Sequence, residues 1–205
     1  MKKFLAFLLG ILMICSAFVI TSCDEKDGDG ETETTKPSVS TIVGNKKETT
    51  AEEETTTEAV SLLPTGYQLY SDGTITFAYP KNWSKTDGST VILQNTGNGN
   101  NITVVYEAKT DYYENLTKTK FQEELKPALE SIGMSISNET VTQLQNDNGM
   151  KITEIAYSVE MQGKTFKQTL LITTIGQDTY TVTLTEMKAD NMTNQTLFHT
   201  LGTAN

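Results

Sequence analysis

The side chains that most often carry out chemistry are scarce in this 205-residue chain. It contains one histidine, His199, two cysteines, Cys15 and Cys23, and no arginine. One histidine cannot complete a zinc site or a Ser-His-Asp triad within a single chain. Acid–base work would fall to carboxylates such as Glu154 and Glu160, which nothing distinguishes from solvated strand positions. The sequence therefore predicts no enzyme, no metal site and no cofactor.

The position of Cys23 favours a different chemistry, which is attachment of a lipid. Two lysines precede an uncharged, mostly apolar run, Phe4–Ile20, and two small hydroxylated residues stand directly before Cys23. A basic start, an apolar core and small residues before a cleavage site are the marks of an export signal. The stretch Ile20-Thr21-Ser22-Cys23 resembles the bacterial lipobox, whose cysteine is acylated and becomes the new N-terminus. We expect residues 1–22 to be removed and Cys23 to hold the protein on the extracytoplasmic side of a bacterial membrane, at the cell surface or facing the periplasm.

Two other interpretations of the N-terminus stay open. A secreted protein carries an Ala-x-Ala-like cleavage site, of which Thr21-Ser22 is a loose version. An uncleaved anchor needs about 20 apolar residues, and Phe4–Ile20 supplies 17. In the favoured interpretation Cys15 leaves with the signal and Cys23 carries the lipid, so the folded part has no disulfide and no free thiol.

Residues 23–63 have the composition of a tether. The run Glu52–Glu58 is low in complexity, and no aromatic residue occurs between Val19 and Tyr67. Residues 24–63 carry 11 Asp or Glu and 4 Lys, a net charge of −7. Such a segment cannot bury enough apolar surface to offset the entropy of ordering it. We therefore expect a disordered acidic spacer that holds a domain away from the membrane.

The remaining residues, 64–205, are also acidic, with 15 Asp or Glu against 10 Lys. Proteins that bind nucleic acid use Arg and Lys for most of their phosphate contacts. An acidic chain without arginine is unsuited to that role, so we expect no nucleic-acid partner.

The pattern of residues 64–205 predicts one α+β domain with an antiparallel sheet. Strands are predicted at Thr74–Tyr79, Thr90–Gln94, Ile102–Glu107, Ser135–Leu144, Lys151–Met161, Thr165–Thr174 and Thr179–Thr185. Helices are predicted within Leu116–Ile132, where Pro127 should kink or restart the helix, and at Asn191–Leu201. Both faces of Lys151–Met161 are partly apolar, which favours a sheet that is covered on both sides.

One corner of this domain resembles a known family. A strand of aliphatic and aromatic residues, Gly73–Tyr79, runs into Tyr79-Pro80-Lys81-Asn82-Trp83. The corner is similar to the Tyr-Pro-x-x-Trp opening of the PsbP family, and the likeness extends over roughly Gly66–Asn205. The resemblance implies a central antiparallel sheet flanked by helices, an α/β/α sandwich. It also implies docking to partners without shared catalytic residues. The partner surfaces of the photosystem and Ran-binding members have no residue-by-residue match here, so those functions are not carried over.

Aromatic residues are the remaining candidates for a binding surface. Tyr112 and Tyr113 are adjacent in a polar loop, and tyrosines are enriched at recognition surfaces, so we predict that they contact a partner. Trp83 is expected to pack as a lid on the core. The favoured function is a non-catalytic module on a membrane tether that binds an unknown protein or an extracellular component. The alternative is a small-ligand carrier or accessory enzyme that uses carboxylates or tyrosines, which predicts a pocket with convergent polar groups.

Overall fold

A computed structural model of this chain describes residues 63–88 and 90–204. The predictions for the export signal, for Cys23 and for the tether up to residue 62 lie outside the described residues. Within them, no helix has both the length and the apolar character needed to cross a lipid bilayer.

Ten strands and two longer helices make up the described part of the chain. The strands are β1 (Tyr67–Ser71), β2 (Ile75–Pro80), β3 (Ser84–Thr86), β4 (Val91–Gln94), β5 (Asn101–Ala108), β6 (Ser135–Gln145), β7 (Lys151–Met161), β8 (Lys164–Ile175), β9 (Asp178–Glu186) and β10 (Gly202–Thr203). Helix α1 consists of the consecutive segments Lys118–Lys120, Phe121–Leu125 and Lys126–Glu130, and helix α2 is Asn191–Thr200. A short 3-10 turn, Tyr113–Asn115, precedes α1.

The strands form two antiparallel sheets. The larger has the order β3-β4-β5-β9-β8-β7-β6, and the smaller has the order β1-β2-β10. The predicted α+β class with an antiparallel sheet is confirmed. The finer prediction of a helix-flanked sandwich is only partly met, because α1 lies on one face of the larger sheet whereas the small sheet shares the other face with α2.

Each face of the larger sheet has its own apolar cluster, and alternation along the strands assigns residues to them. On β8, Leu170 packs with Leu125 and Leu129 of α1. Leu171, the next residue, packs with Phe77 of the small sheet and Leu197 of α2. This double cover accounts for the apolar residues on both faces that the sequence showed.

Proline breaks the regularity of α1 as predicted. Pro127 has no N–H to donate and its ring crowds the carbonyl one turn earlier. The turn before it widens into a π segment, in which the Lys126 N–H bonds the carbonyl of Phe121, and an α-helical turn starts again at Lys126. Phe121 and Leu129 are nevertheless fully buried, so the stripe that faces the sheet is preserved.

The aromatic corner after β2 closes one end of the core. Pro80 is the last residue of β2, and the Trp83 N–H donates to the Pro80 carbonyl over 3.1 Å. Trp83 is 5% exposed and packs in the cluster that contains Phe77 and Leu93. The expectation that Trp83 serves as a lid on the core is confirmed.

A polar strip on the sheet as the candidate functional site

The two tyrosines singled out in the sequence lie between β5 and α1 but do not form a common exposed surface. Tyr113 is 4% exposed, and its ring meets that of Tyr112 edge-on with 5.2 Å between the ring centroids. The premise of two exposed tyrosines is therefore wrong for Tyr113, since its ring closes the end of the α1 cluster. Tyr112 is half-buried, and its contact with a partner stays a prediction.

Each tyrosine hydroxyl is engaged by a carboxylate. The Tyr112 hydroxyl donates to Glu124 Oε2 over 2.8 Å. Burial, the hydrogen bond and the charge of Glu124 raise the pKa of Tyr112, and burial together with Glu107 raises the pKa of Tyr113. Both phenols therefore remain protonated at neutral pH, where they donate hydrogen bonds and do not act as bases.

A ladder of threonines begins beside this tyrosine pair. Glu107 on β5 lies directly opposite Thr179 on β9, and every second residue of β9 from there is a threonine that is at most 7% exposed. Leu170, which packs under α1, is directly opposite Thr183. Because directly opposed residues share a face, the threonines lie on the α1 side of the sheet. The members of this ladder are Thr179, Thr181, Thr183 and Thr185.

Three polar side chains form a row across the sheet at the far end of the ladder. Thr185 is paired with Gln168 on β8 and with Asn101 on β5, and the three are 0%, 0% and 3% exposed in that order. The Gln168 Nε2 group donates to Thr185 Oγ1 over 3.2 Å, and the Asn101 Nδ2 group donates to the Gly99 carbonyl over 3.3 Å. The row thus places one amide side chain on each side of the Thr185 hydroxyl.

The two amide oxygens of this row, Gln168 Oε1 and Asn101 Oδ1, are buried and have no hydrogen-bond partner within the described residues. Leaving a buried acceptor unsatisfied costs about 1–3 kcal/mol. Native proteins fill such positions with a water or a ligand, or keep them for function. The two oxygens are therefore candidate positions for a bound water or ligand.

We call the ladder and the row together the polar strip. Its members are Thr179, Thr181, Thr183 and Thr185 on β9, Asn101 and Thr103 on β5, and Gln168 on β8. Six residues separate the ends of the ladder, which corresponds to about 20 Å. Every member of the strip is at most 7% exposed, and the neighbouring Ile92 on β4, Val105 on β5 and Thr174 on β8 are partly exposed.

The strip is suited to binding uncharged groups. It contains no lysine, and the one carboxylate at its end, Glu107, already interacts with the Tyr113 hydroxyl. Threonine hydroxyls both donate and accept hydrogen bonds, and the two amide oxygens accept them. Within residues 63–88 and 90–204, no group of three or more His, Cys, Asp or Glu is placed to hold a metal ion.

The other residues considered for chemistry lie apart from the strip. Glu154 and Glu160 are six residues apart on β7, about 20 Å, so they cannot act on one substrate atom. His199 Nδ1 lies 3.0 Å from Asp147 Oδ2 at the exposed end of α2.

The histidine belongs to a hydrogen-bonded contact between the β6–β7 turn and the end of α2. The Asn146 Nδ2 group donates to the carbonyls of Phe198 and Leu201 over 3.0 and 2.7 Å. The Asn148 Nδ2 group donates to the Leu201 carbonyl over 2.9 Å. These bonds satisfy carbonyls that the helix end would leave free, so the surroundings of His199 have a structural role.

Comparisons with known proteins give the fold a weak context. No family model matches the chain, and no curated protein matches its sequence, so the PsbP resemblance receives no support from them. A crystal structure from Bacteroides thetaiotaomicron is similar over 64% of this chain and 45% of its own length, with 12% identity and a TM-score of 0.44. LpqN, a protein involved in cell envelope biogenesis of Mycobacterium tuberculosis, is similar over 68% of this chain and 91% of its own length, with 12% identity and a TM-score of 0.40. The chain thus spans less than half the length of the first of these proteins.

Proposed function

We propose that this protein is a lipoprotein of the bacterial envelope, anchored through Cys23, whose domain is a non-catalytic binding module. Its ligand is an uncharged molecule rich in hydroxyl groups, of the saccharide class, that lies along the polar strip. The observation that carries the proposal is the pair of buried amide oxygens, Gln168 Oε1 and Asn101 Oδ1, without a partner in the described residues.

The chemistry of the strip selects the ligand class. Two unsatisfied acceptors call for two donors, and Gln168 and Asn101 lie two strands apart, or about 9.5 Å. Hydroxyl groups at the two ends of a sugar unit or a disaccharide cover such a span, and the threonines between them exchange hydrogen bonds with further hydroxyls. An anion finds no lysine on the strip, which argues against phosphate or carboxylate ligands.

Binding of a small ligand corresponds to the small-ligand carrier that the sequence left as an alternative. That alternative predicted a pocket with convergent polar groups, and the strip would supply the polar groups of such a site. Its enzymatic form lacks an activated group, because raised pKa values keep Tyr112 and Tyr113 protonated. The domain is therefore proposed to hold its ligand rather than to transform it.

Calorimetric titration of the purified full chain in detergent tests this function. The probes are neutral oligomers of glucose and of N-acetylglucosamine, and Thr183→Val is the test variant, because valine keeps the shape of threonine and removes its hydroxyl. Thr142→Val on the exposed side of β6 is the matched control. We expect binding by the parent and the control and at least severalfold weaker binding by Thr183→Val. Equal affinity in all three proteins, or no binding of either probe, contradicts the proposal.

The anchor is tested separately by Cys23→Ala. The parent chain, expressed in a bacterium with an alkyne-tagged fatty acid, should take up the label and sediment with membranes. The variant should lose the label. A variant that is labelled as strongly as the parent excludes Cys23 as the attachment site and leaves the binding proposal untouched.

A further inference from the structure

The larger sheet ends in two very different strands. At one end, β3 has three residues, all exposed, and Lys85 within it forms an ion pair of 2.9 Å with Asp87. Short, charged end strands of this kind discourage pairing with another chain. At the other end, β6 has 11 residues and offers a much longer row of backbone groups.

Only the first part of β6 carries protection against such pairing. A bulge shifts the register between Ser137 and Thr140, and Asn138 has a φ of 56°. Glu139, the one charged residue of β6, is 7% exposed, and its Oε1 accepts from Gln122 Nε2 over 2.6 Å and lies 3.6 Å from Lys126 Nζ. Its charge is therefore neutralised within the domain. The remainder, Thr140–Gln145, contains no charge, no proline and no bulge.

The turn after β6 fixes which backbone groups point outward. The Asn146 N–H donates to the Met150 carbonyl over 3.1 Å, so the groups of residue 146 point toward β7. Because this direction alternates along an antiparallel strand, residues 142 and 144 also bond toward β7. Residues 141, 143 and 145 point away from the sheet. As β6 is the last strand in the order, these groups face no neighbouring strand within the described residues.

We propose that β6 pairs antiparallel with β6 of a second copy of this chain, centred on Thr142. A two-fold axis perpendicular to the sheet keeps each face on its own side and places Thr142 opposite Thr142 of the second copy. The outward groups of Val141 then exchange hydrogen bonds with those of Gln143 of the second copy. No like charges are opposed, and threonine pairs are favourable across strands. The straight stretch of β6 is thus complementary to itself.

The pairing is weak and depends on concentration. Six residues a side bury much less than the roughly 1,000 Å² typical of stable interfaces. Each domain also carries the net charge of −5 that follows from 15 acids and 10 lysines, so repulsion opposes association at low salt. Association should therefore strengthen when salt is added.

Disulfide trapping on the full chain tests the register of this pairing. In the proposed dimer residue 142 forms a non-hydrogen-bonded pair with its copy, with Cα atoms about 4.5 Å apart, within reach of a disulfide. The test variant is Thr142→Cys. The control is Thr140→Cys, which is exposed on the same face but four residues out of register with its copy, about 13 Å away. Both are oxidised with copper phenanthroline in detergent, beside the parent chain.

We expect a covalent dimer from Thr142→Cys that is severalfold more abundant than from Thr140→Cys, and that increases with salt. Maleimide labelling and circular dichroism confirm that both cysteines are accessible and both proteins folded. Equal cross-linking of the two variants, absence of cross-linking, or a cross-link to a different protein in whole membranes overturns the proposal. None of these results depends on whether the polar strip binds a saccharide.

Discussion

The difference between the two faces of the larger sheet is clearest along β9. Along β9, Tyr180, Val182 and Leu184 point toward the small sheet and α2 and pack in an apolar cluster. Their neighbours, the threonines of the polar strip, point the other way. A single strand thus supplies a closed core on one side and hydrogen-bonding groups on the other. Burial on both faces of a strand therefore does not imply the same role for both faces.

The largest loss of stability should come from a cavity in the apolar cluster that packs against the small sheet and α2. Leu184 is fully buried, and Leu184→Ala removes apolar contacts and leaves a cavity. We expect it to lower the free energy of unfolding by about 2–5 kcal/mol. Urea denaturation measures this loss. Thr183→Ala, one residue away in the polar strip, should cost clearly less, and an equal loss for both would contradict the contrast between the apolar residues and the threonines of β9.

Removal of the hydrogen bonds that join the β6–β7 turn to the end of α2 should give the next largest loss of stability. The Asn146 amide group donates to the carbonyls of Phe198 and Leu201, and its oxygen accepts from the N–H of Met150. Asn146→Ala leaves these groups without partners, and we expect a loss of about 2–3 kcal/mol. Thermal melting checks the loss. Thr142→Ala, at an exposed position of β6, is the control, and an Asn146→Ala protein as stable as that control would show that these hydrogen bonds contribute nothing.

Within the polar strip, a single substitution should affect stability and binding differently. Gln168→Leu removes an amide oxygen that has no partner in the described residues together with the 3.2 Å hydrogen bond to Thr185, so the two effects oppose each other and the free energy of unfolding should change by less than about 1 kcal/mol. Affinity for neutral oligosaccharides should fall severalfold, because the ligand loses an acceptor. Denaturation and calorimetry on the same preparation measure both quantities. A variant that loses stability but keeps its affinity would make Gln168 a structural residue.

The smallest effect on stability should come from Glu139, and it should depend on pH. The hydrogen bond from Gln122, followed by a backbone hydrogen bond and the charge of Lys126, holds the pKa of Glu139 below its usual value. A carboxyl with a lowered pKa in the folded state contributes stability above its unfolded pKa, and this contribution is lost as pH falls through the folded value. Glu139→Gln should therefore be less stable than the parent at pH 7, and the difference should shrink below about pH 4. A difference that is the same at pH 3 and pH 7 contradicts this account.

Much of the fold could be predicted from the sequence because its long strands carry local signals. The predicted bounds of Lys151–Met161 are those of β7, and the restart of α1 at Pro127 follows from the chemistry of proline. The strands β1, β3 and β10 were missed. They have five, three and two residues, and β10 exists only through its pairing with Ile75 and Thr76 of β2.

The candidate site was much harder to predict. The alternation of threonine with larger residues in Thr179–Thr185 predicts a strand but does not indicate a binding site. Thr185 lies between Gln168 and Asn101 because of the register of three strands from distant parts of the chain. No local sequence pattern encodes that register. The burial of Tyr113 likewise depends on Glu107 and on the α1 cluster. Tertiary placement, rather than residue type, makes this site.

A crystal structure of the full chain with a saturating neutral oligosaccharide tests the central claim most directly. We predict continuous electron density along the polar strip, with hydroxyl groups of one molecule within hydrogen-bond distance of both Gln168 Oε1 and Asn101 Oδ1. Isolated water density at each oxygen, with the threonine ladder otherwise unoccupied, would contradict the account. The strip would then be a hydrated part of the core.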